Sequence, residues 1–174
     1  MGNEELGFLA SFLNEGIVID DYLHQAKYPE DTPAVSKAEE SEEVFVSDIL
    51  FKGNNSSKVA VCVLYENEEW ITVRDKLFLE KILTAVGLSM ETIALVNLKN
   101  SNYKSIIQIG ERLKGNKIIT LGIPSALVKD FPLNEISQKN GQDYLCINWN
   151  LTDIAMSKDK KNVLWKKLKS LFEL

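Results

Sequence analysis

The sequence predicts an α/β domain of three layers, α/β/α, around a central, mostly parallel sheet of about four strands. Three observations predict it. Leu77–Gly122 alternates helix-like and strand-like stretches, the order in which parallel strands are joined by crossover helices. KVAVCVLY (58–65), TIALVNL (92–98), KIITLG (117–122) and DYLCINW (143–149) are nearly continuous apolar runs, as expected of strands covered on both faces. Gly87, Gly115-Asn116 and Pro124 punctuate the chain where elements should stop or start.

The elements follow in order. In EELGFLASFLN (4–14), Leu6, Leu9 and Leu13 share one helical face, with Phe8 and Phe12 alongside. Glu4 and Glu5 suit the positive end of that helix, and Gly16 is a stop. So short a helix is not stable alone. It docks either on its own domain or on a partner, through Phe8, Leu9, Phe12 and Leu13. PEDTPAVSKAEESEE (29–43) has two prolines, six acids and one lysine, too little apolar surface to offset its chain entropy. The expected organisation is therefore a helical arm (1–28), an acidic linker (29–43) and an α/β domain (44–174).

VFVSDILF (44–51) reads as one strand, and GNNSS (53–57) as a turn. Asp75 is the expected cap of a helix whose stripe is Phe78, Leu79, Ile82, Leu83 and Val86. Ser101 or Asn102 is the expected cap of a helix through Ile106, Ile107, Ile109 and Leu113. Pro124 and Ser125 open a short helix reaching residue 129. Residues 131–142 read as a polar surface loop. Residues 158–172 form a terminal helix with Leu164, Trp165, Leu168, Leu171 and Phe172 inward.

The chain's 174 residues suffice for one domain with an arm, and a net charge of −5 argues against a protein that simply coats nucleic acid. Cys62 and Cys146 lie in apolar runs and read as inert core thiols. Two cysteines are too few for a four-thiolate cluster, and His24, the one histidine, has no cysteine pair to complete a zinc site. Neither metal nor cofactor is expected. The acidic start and the lack of a long apolar run point to a cytoplasmic chain with no membrane anchor.

Two features offer chemistry. YENEEW places three glutamates at the end of the first buried strand, where α/β folds put their ligand sites. Glu66 is the best placed to activate water; the alternative is a plain surface turn. The terminal helix carries Lys158, Lys160, Lys161, Lys166, Lys167 and Lys169. They form either a weak DNA-backbone contact, through Lys161, Lys166 and Lys169 in particular, or a solvated face.

FLEKILTAVGLSMETIALVNL, with Gly87-Leu88 and Asn97, resembles the stretch of bacterial and archaeal uracil-DNA glycosylases in which a helix leads through Gly-Leu into a strand ending in Asn. KIITLGIPSALV, with Leu121-Gly122 and Ser125-Ala126, is similar to that superfamily's third strand and following turn. NLTDIAMSKDKKNVLWKKLKSL, with Lys161 and Trp165, resembles its last loop and helix. The similarity covers roughly residues 44–174. It implies a uracil-glycosylase-like fold, with Asn97 as the reader of a flipped base and Asn150 at the place of the family's His-Pro loop. The chemistry does not carry over. Tyr65–Glu69 has none of the family's Gly and Pro, the stacking aromatic has no counterpart, and Asn150 cannot become cationic as the histidine does.

A second resemblance accommodates those losses. The psi subunit of bacterial DNA polymerase III has such a domain without glycosylase chemistry, a Leu-Trp pair on its terminal helix (here Leu164-Trp165) and an N-terminal arm that binds the clamp loader. The resemblance implies a non-catalytic accessory of DNA replication or repair, its partner a clamp-loader or other replication protein held through residues 1–28. A divergent uracil-DNA glycosylase using Asn97 and Glu66, or a nucleotide-binding module, are the alternatives.

Overall fold

The apolar run at 44–51 builds two strands rather than one. In the computed structural model, which describes residues 43–46 (their backbone), 49–100 and 105–174, β1 (Glu43–Val46) folds back on β2 (Ile49–Lys52), with Val46 opposite Ile49. Ser47-Asp48 is the polar pair that interrupts the run. Glu43, read as the last residue of the linker, is the first residue of β1. The helix expected at 4–14, the rest of the linker, and His24 lie outside the described residues.

Five further strands complete the sheet: β3 (Val59–Val63), β4 (Ala94–Asn97), β5 (Lys117–Leu121), β6 (Ile136–Lys139) and β7 (Gln142–Ile147). Their order is β1-β2-β4-β3-β5-β7-β6. The centre, β4-β3-β5-β7, is parallel, in register through Cys62 with Val96 and with Thr120, and through Thr120 with Cys146. These are the four expected strands. The count is nonetheless corrected from four to seven, because antiparallel strands close both flanks. One of them, β6, lies in the stretch read as a loop. Asn140 and Gly141, at φ 53° and 74°, turn it into β7, the left-handed geometry a two-residue hairpin needs. An edge strand need not bury an apolar face, so ISQK carried no apolar signal.

Among the described residues, four α-helices accompany the sheet: α1 (Val73–Ala85), α2 (Ile106–Leu113), α3 (Leu151–Met156) and α4 (Lys158–Phe172). Strand alternation divides the core. Ala60, Cys62, Ala94, Val96, Ile118 and Tyr144 pack with Ile106, Ile109 and Leu113 of α2. Val61, Ile119 and Leu121 face Leu79, Ile82 and Leu83 of α1 and Leu164 and Leu168 of α4. Helices thus lie against both faces of a mixed sheet. Residues 41–174 form one compact unit.

The helix starts differ from the reading in two places. Thr72, not Asp75, caps α1: its Oγ1 accepts the N–H of Asp75 at 3.1 Å. Ser105 caps α2 through the N–H of Ile107, and the expected caps at 101 and 102 lie outside the described residues. The helix at 125–129 is one 3₁₀ turn, Ser125–Leu127. Helix α3 was not expected, since six residues are too few to display a 3.6-residue period. The terminal helix has the bounds that the sequence predicts.

Candidate functional site

The parallel centre winds in two directions. After β3 the chain enters α1, on one face of the sheet. After β5 it runs through Ile123, Val128 and Phe131, which join the core on the α2 face. Where loops leave neighbouring strands towards opposite faces, the strands' carboxyl ends are the place at which α/β folds put their ligand sites. Tyr65, Asp75, Asn97, Gly122, Asn150 and Thr152 come from the segments that meet at this end of the sheet.

Asn97 ends β4 opposite Val63 of β3 and is 1% exposed. Its Oδ1 accepts the N–H of Tyr65 (3.1 Å) and of Lys99 (3.3 Å). Its Nδ2 donates to the carbonyls of Tyr65 (3.0 Å), Glu68 (3.0 Å) and Glu69 (3.1 Å). An amide has two donor hydrogens and one acceptor oxygen, so the chain's own backbone occupies all of it. Asn97, the residue expected to read a base, holds the loop after β3 with its side chain, and a base could bind that amide only by displacing the loop. Asn100 adds a bond to the Glu69 carbonyl at 3.2 Å.

A second polar cluster lies beside it. Asp75 is 1% exposed, and its Oδ2 accepts two hydroxyls, Tyr65 at 2.7 Å and Thr152 at 2.8 Å. Its Oδ1 is buried and has no hydrogen-bond partner among the described residues. Burial, then the bond to Asp75 and its charge, pushes the Tyr65 phenol far above its ordinary range, so Tyr65 keeps the proton it donates to Asp75. The cluster ties β3's end, α1 and α3 together. The sequence reading missed its role. A threonine three residues before Asp75 was the available signal that Asp75 lies inside the helix rather than at its cap.

The other candidates fall elsewhere. Glu66 is exposed on the loop that Asn97 holds. Asn150 is exposed and caps α3, its Oδ1 accepting the N–H of Asp153 at 2.7 Å. Gly122, at φ 66°, lies so close to Asn150 that an added Cβ would stand 2.6 Å from its Cα and N. Lys161 is buried, which corrects its place in a DNA-contacting set; Lys166 is exposed and Lys169 half-buried. Phe8, Leu9, Phe12 and Leu13 lie outside the described residues. The thiols of Cys62 and Cys146 are buried, and burial pushes both above their ordinary range.

Among the described residues, no group of three or more His, Cys, Asp or Glu is placed to hold a metal ion, and no helix is long and apolar enough to cross a membrane. Compared with known proteins, the chain matches no family model, no curated protein and no solved structure. The site itself therefore carries the functional argument. Its chemistry is that of a braced loop: hydroxyls and amides that could serve a ligand are turned inward, onto backbone and onto one buried carboxylate.

Proposed function

We propose that this protein is a non-catalytic accessory of DNA replication or repair, similar to the psi subunit of DNA polymerase III. In this reading residues 44–174 are a three-layer α/β/α domain of the uracil-DNA glycosylase type. Residues 1–28 hold a clamp-loader or other replication protein through Phe8, Leu9, Phe12 and Leu13, and the chain is cytoplasmic.

One observation carries the non-catalytic half of the proposal. Asn97, the one base-reading position that the resemblance retains, spends its whole amide on the backbone of Tyr65, Lys99, Glu68 and Glu69. Glu66, the candidate water-activating group, is exposed to solvent, where a carboxylate gains nothing from a dry, preorganised site. Support for the binding half is the sequence pattern at 4–14, where Leu6, Leu9 and Leu13 recur at helical spacing with Phe8 and Phe12 alongside.

Two measurements test the reading with the full chain. Affinity capture against clamp-loader subunits should recover one of them, and Phe8→Asp with Phe12→Asp should abolish recovery. Failure to recover any replication protein overturns the accessory reading. Incubation with uracil-containing single- and double-stranded DNA should yield no abasic product; an abasic product that disappears in Glu66→Gln establishes the glycosylase alternative instead.

A further inference from the structure

We propose that the outer surface of α4 binds the phosphate backbone of nucleic acid, through Lys158, Lys166 and Lys169. The inference goes beyond the accessory reading and does not depend on what the arm binds.

Charge is distributed unevenly along the chain. Residues 1–43 hold 11 of the 25 acids and two of the 20 basic residues. The domain at 44–174 therefore has 18 basic against 14 acidic groups, a net charge of +4 inside a chain of −5. Helix α4 concentrates that excess, with six lysines and a single acid, Asp159. A polyanion is the partner this asymmetry favours.

The structure separates these lysines. Lys161 is buried and unavailable. Lys160 is engaged, its Nζ 3.9 Å from Asp153 and 5.5 Å from the centre of the Trp149 ring. Lys158, Lys166, Lys167 and Lys169 form no ion pair among the described residues. Helical spacing places Lys158, Lys166 and Lys169 within one outward stripe, with Lys167 on the far side of the helix. From Lys158 to Lys169 the stripe is about 16 Å long at about 1.5 Å per residue. Along a duplex, each strand presents a phosphate about every 3.4 Å of axis, so three lysines in a row can each meet one. Lysine ammonium groups serve here as point charges, which suits sequence-independent contact with a backbone and not the reading of bases.

The test is fluorescence anisotropy of the full chain with labelled single- and double-stranded oligonucleotides of scrambled sequence, titrated at several salt concentrations. Binding to the duplex should weaken linearly in log salt and be indifferent to sequence. Lys158→Gln with Lys166→Gln and Lys169→Gln should reduce the slope by about 2–3, close to one per phosphate contact removed. Lys160→Gln should leave it unchanged, and the Phe8→Asp, Phe12→Asp chain should bind DNA as the wild type does. An unaltered urea midpoint verifies that the triple variant is folded. No binding at low salt, an unchanged slope in the triple variant, or binding to phosphatidylserine vesicles without binding to DNA overturns the proposal.

Discussion

Asn97 and Tyr65 exchange a reciprocal pair of hydrogen bonds. The side-chain oxygen of Asn97 accepts the N–H of Tyr65 at 3.1 Å, and its amide donates to the carbonyl of Tyr65 at 3.0 Å. The side chain thereby imitates one further rung of strand pairing just where β3 and β4 part, and the carbonyls of Glu68 and Glu69 complete the loop's attachment.

Removing that rung should be costly. Asn97→Ala leaves the N–H groups of Tyr65 and Lys99 and three carbonyls without this partner in a part-buried setting, and a loss of about 2–4 kcal/mol is expected. Urea denaturation checks it. Asn97→Asp should be no milder, because a carboxylate would face those carbonyls with no hydrogen to donate. A loss under about 0.5 kcal/mol for either would show that the loop does not depend on the amide.

Tyr65 and Tyr144 predict the alkaline limit of stability. Burial and Asp75 raise the Tyr65 pKa far above its ordinary value, and burial, with Glu111 next in effect, raises that of Tyr144 to about 12. Both phenols are thus harder to ionise in the folded chain than in the unfolded one. Their contribution is fully present below about pH 10, where unfolded tyrosine ionises, and is lost as pH rises from there through the folded values. Denaturation midpoints should fall above about pH 10. Tyr65→Phe should lower stability at neutral pH, since it removes a hydrogen bond to a charged group, and should flatten the alkaline decline.

Gly122 is predicted to tolerate no side chain. Its φ of 66° disfavours L-residues, and a Cβ would lie 2.6 Å from the backbone of Asn150. Gly122→Ala should cost about 2–4 kcal/mol and should loosen the cap of α3, visible as faster amide exchange at Asp153. Gly87→Ala is the control. Its φ is also positive, but nothing lies within 4 Å of the added carbon, so the loss should be smaller.

Neither cysteine should react while the chain is folded. Cys62 is 0% exposed and Cys146 1%, and burial disfavours the thiolate of each. An Ellman assay on native protein should stay silent and should report both thiols in denaturant. Rapid labelling of one of them in native protein would mean that the sheet opens locally at that strand.

The amino-acid sequence made the four parallel strands legible because each needs apolar residues on both faces, and such runs are rare by chance. Helix α4 was legible to its ends, because Ser157 caps it and a long stripe sets its phase. The flanking strands were not. β6 has half-buried or exposed side chains and leaves no apolar run, and the split of 44–51 depended on a short polar interruption that propensity alone does not resolve. Helix α3 is shorter than two full turns.

The sequence by itself determined the class of fold, the position of the core and the chemical inventory: one histidine, two cysteines in apolar runs, an acidic first quarter and a lysine-rich last helix. What the site does with that inventory was decided by tertiary structure. Asn97 meets Tyr65 across 32 positions of chain, and Asp75 meets Thr152 across 77. Hydrophobic patterning acts through the average polarity of a face and can be read locally. A hydrogen bond requires two particular atoms to lie within about 3 Å, and only the packed sheet brings those atoms together.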